Sequence, residues 1–356
     1  MLRKERTRTM SEINTSLTLS DVCDRLEAQN SFVILTHTRP DADTLGSAVA
    51  LSEILSQLGK TVYIINDDDI PKRLQFITGT ASLRPEEVLP EGFVPDLFVS
   101  VDVSASKLFG KLEAEYAPKI ALAIDHHALG TPFAPETVIR PVGACGEIIF
   151  DIAKEFEKHG KKVLTKRAAI ALYAAICSDT GSFKFESVTP ETHIRIASLL
   201  EVGFDHAEVA RKLYDSRPIS QVIATKVALN ALHFYNSNRV AVINFTAKMR
   251  TDNNLTREDI DDIISLTRSI EGVEIGMSIK QSDDDPTLYK VSMRSNRVAD
   301  VSKICAVFGG GGHVRASGCT LNAANEVEAE TRLMEAIDSA LAELDSLHAF
   351  DNAGAL

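Results

Sequence analysis

"VILTHTRPDADTLGSAVAL", residues 33–51, joins two patterns across a polar turn. The run 31–36 is short, apolar and β-branched, as an interior strand would be. From Thr44 onward, Leu45, Ala48, Val49, Ile54, Leu55 and Leu58 recur at helical spacing, and Gly59 stands at the expected stop. Between the two lie His37, Asp41 and Asp43, with Pro40 stiffening the turn. Three polar groups at a strand-to-helix junction are costly unless something neutralises them.

Working outward, further strand patterns occupy 61–66, 96–102 and 119–127, and helical patterns 44–58, 146–159 and 166–178. Such alternation, with nearly continuous apolar strands, predicts an α/β fold with a mostly parallel sheet covered by helices on both faces. Helical spacing continues through 190–203 and 206–216. A smaller α/β C-terminal domain follows, with strands at 239–245, 273–281 and 287–295 and helices at 256–269, 300–308 and 324–345. The acidic turn 282–286, SDDDP, suits a hairpin tip. The expected divisions are a disordered leader over 1–19, a catalytic domain over 20–214, a connector over 215–236 and a substrate-binding domain over 237–346, with a cleft between the two domains. The last six residues read as loose chain.

The chain has 356 residues, 44% hydrophobic and 25% charged, which suits two globular domains. No apolar run approaches the ~18 residues of a membrane span. The basic stretch MLRKERTRTM lacks the apolar core of a secretory signal and reads as a leader, or as an overextended start ahead of Met10. Cys23, Cys145, Cys177, Cys305 and Cys319 fit no CxxC spacing, so reduced thiols in a cytoplasmic protein are expected and zinc-thiolate chemistry is not. A net charge of −12 argues against gripping long duplex nucleic acid. It leaves room for small anionic substrates, because bound cations can invert the charge of one pocket.

The turn at 37–43 has three counterparts. Asp102 ends one strand, Asp125-His126-His127 ends another, and Asp179 ends a helix. Open parallel sheets gather ligands beyond the carboxyl ends of their strands. Each aspartate alone reads more readily as a turn residue or N-cap than as a ligand. Together they would repel one another and raise each other's pKa values, a conflict that divalent cations resolve. Oxygen and imidazole donors without thiolate suit Mn²⁺, or Mg²⁺ and similar ions. The donors are too many for one ion, and two ions about 3.5–4 Å apart would use them for phosphoryl hydrolysis.

The segments HTRPDAD, VSVDVS, AIDHHALG and AICSDTGSF, in this order, resemble the four motifs of the DHH phosphoesterase family. FGGGGHVRASG, residues 308–318, resembles the glycine-rich signature of the DHH-associated C-terminal domain. Within the family the chain is most similar to the bifunctional oligoribonuclease and 3′-phosphoadenosine 5′-phosphate phosphatase group. The resemblance implies that His37 and Asp41 bind one metal and Asp43 the other, with Asp102 bridging and His126 and Asp179 completing the second site. It further implies that Asp125 orients a ligand and that His127 faces the substrate phosphate. The stretch GACGEI, 143–148, departs slightly from the Ser/Thr-containing version expected there.

Consecutive glycines, including Gly310, Gly311 and Gly312, let backbone N–H groups approach an anion, although a hinge would use them equally well. His313, Arg315 and Arg294 point to anion recognition, and the resemblance implies that this domain holds the terminal nucleotide. The expected function is a Mn²⁺-dependent phosphodiesterase that degrades short RNA oligonucleotides to 5′-mononucleotides and removes phosphate from nucleotide bisphosphates, using hydroxide activated by two metals. Alternatives are hydrolysis of linear dinucleotides from cyclic dinucleotide signalling, a polyphosphatase, or a non-enzymatic nucleotide sensor. No membrane is expected as partner, and a homodimer is left open.

Overall fold

The computed structural model describes residues 15–353 apart from Leu129, with side chains up to 346. The chain divides into two compact units, residues up to Ser216 and residues from Arg217. Most of the expected leader, 1–14, lies outside the described residues, as do 354–356 of the expected loose end.

The first unit is built on six strands: β1 (Thr15–Ser16), β2 (Ser31–Leu35), β3 (Thr61–Ile65), β4 (Leu97–Val101), β5 (Ile120–Asp125) and β6 (Glu136–Ile139). They form one sheet in the order β1-β6-β5-β4-β2-β3, and every pairing in it is parallel. Alternate residues serve opposite faces. Phe32, Ile34, Val99, Val101, Leu122 and Ile124 enter a core shared with the helices Leu19–Glu27, Ala42–Gln57, Cys145–Lys158 and Lys166–Asp179. Val33, Leu35, Ile65, Ile120 and Ala123 pack on the other face against Phe109 and Tyr116. That second face is covered by short helical turns, Ser106–Leu112 and Glu113–Tyr116, rather than by long helices.

The helix Ala42–Gln57 is apolar on nearly all sides and is buried continuously from Ala42 to Leu51. Gly46 makes that burial feasible. A Cβ there would lie 2.4 Å from the carbonyl oxygen of Ala171, so the helix Lys166–Asp179 approaches backbone to backbone. The expected leader also ends earlier than the sequence suggests: Thr15 and Ser16 pair with Glu136 and Thr137, and Thr18 caps the helix from Leu19.

The second unit has β7 (Leu232–Tyr235), β8 (Val240–Phe245), β9 (Ile275–Gln281), β10 (Leu288–Ser295), β11 (Gly311–His313) and β12 (Ala316–Asn322). Their order is β11-β12-β10-β9-β8-β7, with β8–β9 parallel and the other pairs antiparallel. One face buries Met277, Ile279, Tyr289, Val291 and Leu321 beneath the helices Val301–Ala306 and Glu326–Ala353. The stretch read as a connector holds the helix Ile219–Asn230 and the edge strand β7. The helix expected at 256–269 is instead two short turns, Glu258–Ile260 and Ser265–Arg268. Ser265 and Thr267 there bond the carbonyls of Asp262 and Ile264, a local competition that interrupts regular helix. Among the described residues, no helix is long and apolar enough to cross a membrane.

Candidate metal centre

The four clusters meet at the carboxyl ends of β2, β4 and β5. Asp41 is the N-cap of the helix Ala42–Gln57, where one carboxylate oxygen accepts from the N–H groups of Asp43 and Thr44, each at 3.0 Å. This is why an aspartate with a free second oxygen sits at the start of that helix. Asp43, in the first turn of that helix, is fully buried. Its oxygens accept from the N–H groups of Cys145 at 2.6 Å and Gly146 at 2.9 Å, and from Ser47 Oγ at 3.1 Å. The N-terminus of the helix Cys145–Lys158 thus receives a carboxylate from another element, a favourable use of its unpaired donors. The GACGEI segment contributes here through its backbone, so its side-chain departure from the expected pattern leaves these bonds intact.

Asp102 follows β4 in a left-handed conformation, φ +59°, with its N–H on the carbonyl of Ile124 at 2.9 Å. Such a backbone is uncommon for a residue other than glycine and turns the carboxylate toward the other clusters. His37 Nε2 lies 3.4 Å from Asp102 Oδ2 and 3.8 Å from Asp41 Oδ1. His126 Nε2 lies 3.5 Å from Asp102 Oδ1 and 3.3 Å from Asp179 Oδ2. Asp125 stands behind them: one of its oxygens accepts from the N–H of His126 at 2.9 Å and bonds Nδ1 of His127 at 2.8 Å.

The imidazole Nδ1 atoms of His37 and His126 face the carbonyls of Thr38, at 2.8 Å, and Val142, at 3.0 Å. A carbonyl only accepts, so each Nδ1 carries the hydrogen and each Nε2 presents a lone pair inward. The peptide that holds His126 is itself held from its other end. Its N–H, on Gly143, donates to Glu147 Oε1 at 3.1 Å. Glu147 is 1% exposed and takes Arg195 at 2.8 Å and the hydroxyl of Thr192. Arg195 also clasps Asp151 with two bonds of 2.8 Å.

Ligand atoms of His37, Asp41 and Asp102 lie within 4.8 Å of one another, as do those of Asp43, His126 and Asp179. A third such group joins Asp102, His126 and His127. Burial, reinforced by neighbouring carboxylates, pushes Asp43 and Asp102 well above the usual carboxylate range. Asp179 is raised as well, by burial and then by Asp41. His127 is raised chiefly by its bond to Asp125. Asp102 Oδ1 and His126 Nε2 are both buried and have no hydrogen-bond partner among the described residues. Buried polar atoms rarely go unpaired. Two such atoms aimed into a carboxylate cluster fit a cation, and the oxygen and imidazole donor set suits a divalent one.

The expected substrate residues lie in the second unit. Arg294 on β10 pairs with Ala316 on β12, which pairs with His313 on β11, so one row across three strands carries both side chains. Arg294 is half-buried, donates to the carbonyl of Met293 and forms no salt bridge among the described residues. Burial, and then Arg268, lowers its pKa. Gly311 and Gly312 lie in β11, while Gly310 passes so close to β12 that a Cβ would be 2.3 Å from the carbonyl of Gly318. Arg315 is apart from that row, with Nη1 on the hydroxyl of the buried Ser295 at 3.3 Å. The sequence did not single out Glu147 and Arg195, whose link spans 48 residues.

Residues 31–176 match the family model of the DHH family N-terminal domain, and residues 238–343 match that of the DHHA1 domain. A bifunctional oligoribonuclease and PAP phosphatase NrnA of Thermus thermophilus is 29% identical over 306 residues, covering 85% of this chain and 88% of the relative. The protein of the same name from Bacillus subtilis is 25% identical over 306 residues, covering 84% and 92%. The crystal structure of an exopolyphosphatase-related protein from Bacteroides fragilis aligns over 97% of this chain and 99% of its own, with a TM-score of 0.81 at 22% identity. That last likeness is one of fold.

Proposed function

The chain belongs to the DHH phosphoesterase family, carrying DHH and DHHA1 domains, and from that premise we propose that it hydrolyses short oligoribonucleotides to 5′-mononucleotides and removes the 3′-phosphate of 3′-phosphoadenosine 5′-phosphate. The observation that carries the reading is the convergence of five aspartates and three histidines on one site, with Asp102 Oδ1 and His126 Nε2 buried and unpaired at its centre. The names of the relatives support the substrate class.

His37, Asp41 and Asp102 would hold one divalent cation and Asp43, His126, Asp179 and Asp102 a second, most simply Mn²⁺. Bound there, the cations would supply charge to phosphoryl oxygens and Lewis acidity to a water nucleophile. The protein's own groups do the rest. The carbonyls of Thr38 and Val142 hold two imidazoles in the tautomer that offers Nε2. Asp125 holds Nδ1 of His127 and raises its basicity, so that Nε2 can carry a proton toward a phosphoryl or leaving oxygen. The row of Arg294 and His313 would take a nucleotide phosphate, with residues 237–346 as the recognition domain and 20–214 as the catalytic one.

Labelled di- to pentaadenylates and 3′-phosphoadenosine 5′-phosphate, incubated with the protein and Mn²⁺, test the reading. Release of 5′-mononucleotide and of inorganic phosphate should require the metal and disappear in Asp102→Asn. Turnover of neither substrate by the metal-loaded wild type would reject it.

A further inference from the structure

We propose that Arg39 binds a second phosphate of the substrate, next to the one hydrolysed, and so selects for compounds carrying more than one phosphate. The inference rests on the phosphoesterase reading above. A cavity of about 360 Å³ in the first unit is lined by five residues of the centre together with Thr38, Arg39 and Leu108. Among the described residues, Arg39 is the only arginine or lysine in that lining. Among the described residues its exposed guanidinium meets no carboxylate, although the chain carries a net charge of −12 and aspartates line the same cavity. An unpaired arginine lining the same cavity as the acidic centre offers a cation whose anionic partner is the substrate.

The backbone explains why Arg39 stays free. Its φ is +51°, a left-handed conformation that costs about 1 kcal/mol or more outside glycine. Neighbouring groups impose it. The N–H of Thr38 donates to the carbonyl of Leu108 at 2.8 Å, and that of Arg39 donates to Asp68 at 2.6 Å. Asp68 is fixed in turn by Asn66, whose amide also holds the carbonyl of His37 at 2.7 Å. Gly110 closes the other side, since a Cβ there would lie 2.4 Å from Thr38 Cγ2. The turn's backbone is therefore held from both sides. A planar guanidinium fork bonds a phosphate with two hydrogens at once, which a lysine ammonium does not match.

The test compares bis(4-nitrophenyl) phosphate, which carries one phosphate, with 5′-phosphorylated triadenylate, which carries a neighbour on each side of its first linkage. In the full-length protein with Mn²⁺, Arg39→Gln should raise KM for the triadenylate roughly 10- to 100-fold, the loss of a charge-assisted bond. KM for the single-phosphate probe should move by less than about twofold on the same reasoning, and Arg39→Lys should recover part of the triadenylate loss. Equal shifts on both probes, or no shift on the triadenylate, would overturn the assignment. If the wild type hydrolyses the simple probe but not the triadenylate, the oligonucleotide reading fails, and the inhibition constant of triadenylate against the probe decides Arg39 by the same fold-change. If it hydrolyses neither, the phosphoesterase reading fails. The calorimetric Kd of triadenylate for the Mn²⁺-loaded protein then decides, an unchanged Kd in Arg39→Gln refuting the role.

Discussion

Replacing Arg195 by alanine strips Glu147 of its charged partner and removes two bonds from Asp151. The side chains of Arg195 and Glu147 are 12% and 1% exposed, so the carboxylate is buried and its partner largely so. Breaking such a pair from one side costs about 3–5 kcal/mol. In a unit of this size each kcal/mol moves Tm by roughly 2–4 °C, giving a fall of about 6–20 °C. The loss should depend on pH in a definite direction. Burial already raises Glu147 above the usual carboxylate range, and Arg195 is the largest influence holding it down. Without Arg195 it rises further. A carboxyl raised in the folded state binds more protons folded than unfolded, so the stability it supports is complete at low pH and is lost as pH climbs through the folded value. Differential scanning fluorimetry should therefore find the deficit of Arg195→Ala smaller near pH 5 than near pH 8. Adding Glu147→Gln to Arg195→Ala should recover stability at pH 8 by removing the unpaired charge. A deficit of equal size at both pH values, or no recovery in the double variant, would refute the reasoning.

Gly46→Ala should destabilise by the upper part of the ~1–3 kcal/mol range for overpacking, because the obstruction is the rigid carbonyl of Ala171; thermal melts showing a change under about 0.5 kcal/mol would contradict it. Mn²⁺ at a hundred times its Kd should stabilise the protein by ~2.7 kcal/mol over the chelated form, read as a Tm shift, and a metal-independent Tm would count against the site. Arg294→Ala should raise KM for short oligonucleotides by roughly tenfold or more while kcat changes less, and steady-state kinetics with an unchanged KM would remove Arg294 from recognition.

The strands that position the centre were readable because each is a short apolar run on a fully covered sheet, so β2 to β5 coincide with the expected segments. β1 and β6 were not, since two and four residues carry too little pattern to register. The aspartates and histidines announced themselves by standing at strand ends, where a covered sheet seldom tolerates charge. What orders them was hidden. The backbone donors of Cys145 and Gly146 have no side-chain signature, and Glu147 and Arg195 lie on different helices as ordinary charged residues until the fold buries them together. Arg315, next to the glycine run, places Nη1 on the hydroxyl of Ser295, a contact the sequence carried no signal for.

The most direct test counts manganese. Electron paramagnetic resonance combined with elemental analysis of the Mn²⁺-saturated protein should find two spin-coupled ions per chain, with the coupling lost in Asp102→Asn. One isolated ion per chain in the wild type, or coupling that survives the loss of Asp102, would contradict a shared centre bridged by that carboxylate.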